Sequence, residues 1–405
     1  MSGIRFLRDH DPIGARNDLG GGRGGRSEGG ICFVWVHYSI DKRNEFTGKT
    51  DDLSPGPFPA REGEPAGFRI RFFQVPFLIA ERNEFLALGH SGGMRYRRRQ
   101  QGALLDLVTM LAGSTEAVLA QGMLTDRSAD PGLFGSRSVT WRVLREPLLL
   151  LGGSRALLMQ VAHPLVAQGV IDYSRYETEP YGRLLETSRW VYVYGFGTHT
   201  EAKGAVDELR RVHERVRGEL GATNTTPRFG AATPYSALDA DLGTWVYATL
   251  VQSMLLTHGA LIGDLRAGDP DAFVREWAEA GELMDTRPAP HWRSASDLRA
   301  YVDGQIAGGA VQPVAGAARI ARTVLRPPLP WPQLAPVARL AAFVTTGLLP
   351  PALRRGYGLT WTERDQQMHD AFCGVSRGAH PWLPRRARVS PLWEVAVARM
   401  SGATL

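Results

Sequence analysis

From Met123 onward, apolar residues recur at intervals of three and four, and short glycine- or proline-containing runs separate these segments. This spacing is typical of amphipathic helices, and the alternation expected of strands is rare. The pattern predicts an all-α fold with a single large helical domain over residues 123–405. Residues 1–122 are predicted to form an irregular N-terminal extension, either disordered or the product of a misassigned start codon upstream of Met94 or Met123.

The clearest helix is predicted to begin at Thr198, which forms an S/T-x-x-E capping box with Glu201. We expect it to end before Gly218, a residue suited to the left-handed position after a helix. One apolar stripe follows its length, with a histidine in the middle: Val206, Leu209, His213, Val216 and Leu220.

Three further segments are predicted downstream of this helix. Asp239 or Asp241 can cap a long apolar helix that runs through Trp245. The proline-rich stretch from Arg326 to Pro336 cannot be a helix interior and is predicted to be a rigid connector. It leads to C-terminal helices around residues 337–348 and 363–375.

Composition narrows the class of protein. Hydrophobic residues make up 43% and charged residues 22% of the chain, enough for a packed core. Its two cysteines cannot form a disulfide framework, and no secretory signal is visible, so we expect a cytoplasmic protein. The net charge is +6, but only Lys42, Lys49 and Lys203 are lysines. We attribute this arginine bias to codon usage and expect no nucleic-acid partner.

A G-x-S-x-G pattern near the N-terminus raises one catalytic hypothesis. Gly89, Ser91 and Gly93 follow a short apolar run, as the nucleophile of a serine hydrolase does. The basic run after them is unlike the packing helix that such a nucleophile precedes. A serine hydrolase using Ser91 is therefore an alternative function.

Two histidines stand in apolar helical surroundings. His213 occupies a stripe position where leucine would pack better, and His163 immediately precedes Pro164 after an apolar run. Each is either a core histidine with a hydrogen-bonded ring or a residue that binds or lines a cofactor. A five-coordinate haem needs one such histidine, because the porphyrin supplies four nitrogens.

Other metal and redox motifs are absent from the sequence. It contains no E-x-x-H, H-E-x-x-H, C-x-x-C or C-x-x-C-H pattern, so a haem here would be non-covalent. Arg183 and Thr187 are four residues apart and would share one face of a helix. They could bind a propionate, polarise dioxygen or cap a neighbouring helix.

Several runs together resemble the MpaB-type oxygenases, a superfamily that includes the latex-clearing proteins, or rubber oxygenases. The longest, TWRVLREPLLLLGGSRALLMQVAHPLVAQGV, covers residues 140–170. The others are the H-x-x-V-x-G that begins at His213, WVYATL at Trp245 and TTGLLPPALRRGYGLTW over residues 345–361. The likeness extends from about Asp130 to Arg399.

The resemblance implies a helical fold that encloses one haem b, with His213 as the proximal iron ligand. It implies that Arg183 and Thr187 line the distal side. Latex-clearing proteins place a lysine just before this threonine, where the chain has Glu186, so coordination and substrate are expected to differ. Relatives commonly have histidine at the position of Tyr247. Glu186 and Glu146 are candidates for the catalytic carboxylate.

These observations lead to one principal hypothesis. The protein is predicted to be a haem b-dependent oxygenase that uses dioxygen on a small apolar, unsaturated substrate, isoprenoid or lipid-like, with oxidative cleavage of a C=C bond. His213 and His163 are the candidate cofactor-binding residues, and Arg183, Glu186 and Thr187 are the candidate catalytic residues. Peripheral contact with a membrane is compatible with such a substrate. A non-catalytic haem or lipid carrier is the alternative of a different class.

Overall fold

The computed structural model describes residues 31–34, 72–75, 92–113, 117–118, 121–284, 292–329 and 331–402. The chain divides into two compact units, residues 1–83 and residues 84–405. In the first unit, strands β1 (Ile31–Val34) and β2 (Phe72–Val75) pair in antiparallel fashion. Ser91 lies outside the described residues.

The second unit is built from helices, and the predicted all-α class is confirmed. Its one sheet within the described residues is a hairpin of β3 (Arg217–Glu219) and β4 (Pro234–Ser236). The helices are α1 (Gly92–Ala112), α2 (Val139–Leu144), α3 (Leu151–Gln160), α4 (Pro164–Tyr173), α5 (Pro180–Phe196), α6 (His199–His213), α7 (Ala240–Leu261), α8 (Asp269–Gly281), α9 (Ala295–Ala307), α10 (Ala315–Leu325), α11 (Ala335–Leu348), α12 (Pro351–Gly356), α13 (Glu363–Ala379), α14 (Arg385–Arg388) and α15 (Pro391–Ser401).

Helix α1 belongs to the helical unit although it lies upstream of Met123. It packs against α5. Near the start of α5, the Gln100 side chain donates a hydrogen bond of 2.8 Å to the Thr178 carbonyl, and Arg99 pairs with Glu179 at 3.2 Å. The helical body therefore takes in residues from the segment that the sequence assigned to the extension.

Helix α6 begins as predicted and ends earlier than predicted. Thr198 caps it, and the complete capping box with Glu201 is present. The predicted end near Gly218 is wrong, because the helix stops at His213 and residues 217–219 form β3. Hydrogen bonds to β4 satisfy the backbone there. A side chain at Gly218 would meet the Tyr235 ring, so glycine permits this close approach.

The other predicted segments agree with the structure. Asp239 caps α7, accepting hydrogen bonds from the backbone N–H groups of Asp241 and Leu242. Between α10 and α11, the described residues contain one short 3₁₀ turn, Pro332–Leu334, and no other helix or strand. Helices α11 and α13 cover the two predicted C-terminal helices.

Helix α3 packs along α7. Gly152 faces α7, where an added Cβ would overlap Thr257 Oγ1 and lie 3.2 Å from the Ser253 carbonyl oxygen. One turn further, Arg155 is 1% exposed. Its guanidinium donates hydrogen bonds to Ser253 Oγ, Gln252 Oε1 and the Leu348 carbonyl at 2.6, 2.9 and 2.8 Å.

Replacing Gly152 with alanine should destabilise the protein by about 1–3 kcal/mol, because the added methyl group forces α3 away from α7. Gly153→Ala is the matched control. It has open space at the Cβ position, and it should stabilise the helix by about 0.5–1 kcal/mol. Urea unfolding of both variants measures the difference. Equal stability of the two variants would contradict the tight α3–α7 contact.

Candidate functional site

Helices α5 and α6 are adjacent in sequence and pack on each other. Trp190 on α5 donates a hydrogen bond of 3.3 Å to the Ala205 carbonyl on α6, which fixes the register of the pair. Because the chain reverses at Gly197, the first turns of α5 lie beside the last turns of α6. Arg183 is thus brought near His213, and its positive charge lowers the pKa of the histidine.

His213 is half-buried at the C-terminal end of α6. Burial lowers the pKa of its imidazole, and the nearby positive charge of Arg183 lowers it further. Its ring nitrogens make no hydrogen bond to the described residues. A neutral imidazole with an unshared lone pair is the form that binds a metal ion.

Arg183, Glu186 and Thr187 lie together on the exposed face of α5. The Arg183 guanidinium pairs with the Glu186 carboxylate at 2.9 Å, and both side chains are about half exposed, at 49% and 58%. The Thr187 hydroxyl donates a hydrogen bond of 2.9 Å to the Arg183 carbonyl. We call these three residues of α5, together with His213 of the neighbouring helix α6, the α5–α6 face; of the three, Arg183 affects the pKa of His213.

His163 has a different position and a structural role. It is the N-cap of α4, and its Nδ1 accepts a hydrogen bond of 3.3 Å from the Leu165 backbone N–H. The chain bends by 108° between α3 and α4 at this point. Burial lowers its pKa to about 4, with a contribution from Arg228, and its ring packs against Phe229 at 5.2 Å. The sequence left both roles open for His163, and the cap is the one that the geometry displays.

Glu146 is engaged away from the α5–α6 face. It is 3% exposed, and its Oε2 lies 2.9 Å from His380 Nε2. The other carboxylate oxygen lies 3.2 Å from Arg145 Nε. Both carboxylate oxygens therefore have a nitrogen partner within 3.2 Å, which favours a structural role for Glu146.

Tyr247, at the position where relatives commonly have histidine, is buried in an aromatic cluster. Its hydroxyl donates a hydrogen bond of 2.6 Å to the Trp277 carbonyl, and its ring lies 5.7 Å from the Trp277 ring. Tyr194 joins them, with its hydroxyl on the Ala280 carbonyl. Sequence reasoning missed this cluster because its members come from α5, α7 and α8, and no spacing along the chain connects them.

Two of the surface grooves formed by the described residues have volumes of about 360 and 420 Å³. Neither is lined by His213, His163 or Arg183, so the enclosed haem pocket stays a prediction. Within the described residues, no three His, Cys, Asp or Glu side chains are grouped to hold a metal ion. Likewise, in that part of the chain no single helix is long and apolar enough to cross a membrane, although the bent pair Pro147–Gln160 and Pro164–Tyr173 passes by length and composition together.

Comparison with known families places the helical body. Residues 141–378 match the family described as ER-bound oxygenase mpaB/B′/rubber oxygenase, catalytic domain. The match covers more than half of the chain and contains α5, α6 and the C-terminal TTGLLPPALRRGYGLTW run. The chain belongs to the mpaB/rubber oxygenase family. No curated protein and no solved structure matches it.

Membership in the mpaB/rubber oxygenase family confirms the suspected resemblance and indicates an oxygenase. The matched segment holds each of the predicted site residues, His163, Arg183, Glu186, Thr187 and His213. Within this set the structure separates His163, a helix cap, from the four residues of the α5–α6 face. The roles of those four residues in catalysis are predictions of the family resemblance.

The His163 cap predicts a stability that depends on pH. The protonated imidazole is disfavoured in the fold, so its contribution is complete above pH 6.5 and is lost as the pH falls toward 4. A pKa of about 4 in place of 6.5 corresponds to about 3 kcal/mol. We expect His163→Asn, which keeps an acceptor for the Leu165 N–H, to lose this part of the pH dependence in urea unfolding at pH 5 and pH 7.5.

His163→Ala is the matched variant for that experiment. It should lose the same pH dependence and, in addition, about 1 kcal/mol at pH 7.5, because the cap is removed. An unchanged pH dependence in both variants would show that His163 does not titrate with folding.

Replacing Arg183 with glutamine should raise the pKa of His213. Removal of a nearby positive charge favours the protonated imidazole, whereas the effect of burial stays. The pKa is measured by NMR titration of the ring, assigned from the resonance missing in His213→Ala. Arg211→Gln is the control, since that exposed arginine pairs with Glu208 and does not lower the His213 pKa. An equal response to both substitutions would disprove the Arg183–His213 proximity.

Proposed function

We propose that the protein is a haem b-dependent oxygenase that acts with dioxygen on a small apolar, unsaturated substrate of isoprenoid or lipid-like chemistry. Family membership supports the oxygenase class. The observation that carries the haem assignment is the state of His213, a half-buried, neutral imidazole without a hydrogen bond to the described residues.

The donor chemistry of this site fits a haem. A porphyrin supplies four nitrogen ligands, so one protein histidine suffices for a non-covalent haem b. When bound, haem supplies an iron at which dioxygen is activated. His213 would hold that iron through a ring nitrogen, and its lowered pKa keeps the lone pair available at neutral pH.

Arg183 is the positive group of the proposed site. Its guanidinium is within electrostatic reach of His213 and can donate hydrogen bonds to a propionate or to an oxygen atom that gains negative charge. The Glu186 carboxylate offsets part of this charge and holds the guanidinium in place. Latex-clearing proteins have a lysine at the position of Glu186. Because a carboxylate has no amine lone pair, we infer that Glu186 does not act as the distal ligand that such a lysine would provide.

The surroundings of His213 favour an apolar substrate. Val212 on the same helix is 49% exposed, and Leu209 one turn earlier is half-buried. Exposed aliphatic groups next to a ligand residue provide contact area for a hydrocarbon chain. Oxidative cleavage of a C=C bond is the reaction that the family resemblance suggests for such a chain.

The haem assignment is tested by reconstituting the full chain with haemin and recording its absorption spectrum before and after dithionite. We expect a Soret band that shifts on reduction. We expect His213→Ala to lose this band, because the iron then has no ligand from the protein. Imidazole added to this variant should restore the band by occupying the vacated ligand position.

His199→Ala is the control, since His199 is at the other end of α6, exposed and bonded to Asp130 at 2.7 Å. It should keep full haem. A His213→Ala variant that is helical by circular dichroism and keeps all of its haem would refute the ligand assignment.

A turnover assay distinguishes an oxygenase from a non-catalytic haem or lipid carrier. An oxygenase should consume dioxygen in the presence of a polyisoprenoid and give carbonyl products of chain cleavage. A haem-loaded protein that consumes no dioxygen with polyisoprenoids or unsaturated lipids would be a carrier, as in the alternative hypothesis.

A further inference from the structure

An exposed tryptophan stands on the surface between α13 and α14. Trp382 is 86% exposed, more than any other large hydrophobic side chain in the part of the chain that the structure describes. Its neighbours Pro381 and Pro384 are also exposed, and Leu383 is half-buried. We call residues 380–388 the tryptophan loop. Such exposure of an aromatic side chain leaves a large apolar area in water.

The tryptophan loop is held firmly at both ends. Before Trp382, the buried His380 pairs with Glu146 at 2.9 Å. After it, the Leu383 N–H donates to the His380 carbonyl at 3.1 Å, and Arg388 Nε donates to the Leu383 carbonyl at 2.9 Å. These contacts hold the backbone on both sides of Trp382 in place.

The charge of this region is positive. No aspartate or glutamate occurs between Asp370 and Glu394, a segment that contains four arginines: Arg377, Arg385, Arg386 and Arg388. Arg385 and Arg386 follow Trp382 closely in sequence. Both are exposed and line the groove of about 360 Å³. Arg385 pairs with Glu394, while Arg386 forms no ion pair with the described residues.

We propose that the tryptophan loop is a docking surface for an anionic phospholipid bilayer. Trp382 lies among the headgroups, where its amphipathic ring is favoured. Arg386 donates hydrogen bonds to lipid phosphates, and Arg385, whose Nη1 pairs with Glu394, donates through its other guanidinium N–H groups. The positive charge complements the negative surface potential of such a membrane. A protein partner would need an acidic surface to complement Arg385 and Arg386. An anionic bilayer accounts for both the exposed tryptophan and the two arginines.

The proposal is independent of the haem assignment, because none of its residues belongs to the α5–α6 face. Apo and haem-loaded protein should therefore bind membranes equally. This equality keeps a failure of the docking proposal distinct from a failure of the proposed function.

The test is co-sedimentation of the full chain with vesicles of phosphatidylcholine alone or mixed equally with phosphatidylglycerol. We expect binding to the mixed vesicles, weakened by salt, and little binding to phosphatidylcholine. Trp382→Ser should lower the partition coefficient on the order of tenfold. Arg385→Gln with Arg386→Gln should lower it about twentyfold.

Matched controls separate the loop from general charge and hydrophobicity. Leu238→Ser removes another apolar side chain that is 53% exposed, and Arg99→Gln with Arg175→Gln removes two exposed arginines that pair with Glu179. Both controls should bind within about twofold of the unmodified chain, since charges distant from a surface contribute little.

Three outcomes of the vesicle experiment would overturn the proposal. They are an absence of binding to the mixed vesicles, equal binding to both vesicle types, and equal losses in the loop and control variants. Self-association that disappears in Trp382→Ser, measured by light scattering without vesicles, would assign the loop to a protein interface instead.

Discussion

The guanidinium of Arg155 is the interaction on which the helical body depends. A buried charge without a carboxylate partner is costly, and its burial lowers the pKa of Arg155 to about 9. The group stays protonated at neutral pH because three acceptors surround it, on α7 and at the end of α11. Three directed bonds from one side chain of α3 therefore fix the relative positions of three helices, while Gly152 allows the backbones to meet.

The position of the candidate site follows from this arrangement. The carbonyls at the end of α3 are bonded by Trp245 and Tyr357, so α3 ends at a fixed point and α4 leaves it at 108°. Helix α4 then packs against the β3–β4 hairpin, and a Cβ added at Gly169 would lie in contact with Val216 and Tyr235. Because the hairpin docks there, α6 must end before β3. His213 is consequently a helix-terminal residue next to the first turns of α5.

Sequence patterns within a few residues predicted where helices begin. The end of α6 and the buried side-chain contacts depend on residues distant in sequence, so these patterns did not predict them. The Thr198 box and the Asp239 cap are readable because each is complete within four residues. The end of α6 was misplaced because Gly218 owes its role to Tyr235, which is distant in sequence. The hydrogen bonds of Arg155 and the Glu146–His380 contact were missed for the same reason, because their partners are distant in sequence.

The two histidines show how the structure distinguishes residues that look alike in sequence. Both stand in apolar surroundings, yet His163 uses a ring nitrogen to cap α4, whereas His213 has no such partner among the described residues. The C-terminal end of a helix favours a protonated histidine. Burial and Arg183 outweigh that tendency at His213 and lower its pKa. Its neutral state is thus set by tertiary neighbours, and that state is what a haem ligand requires.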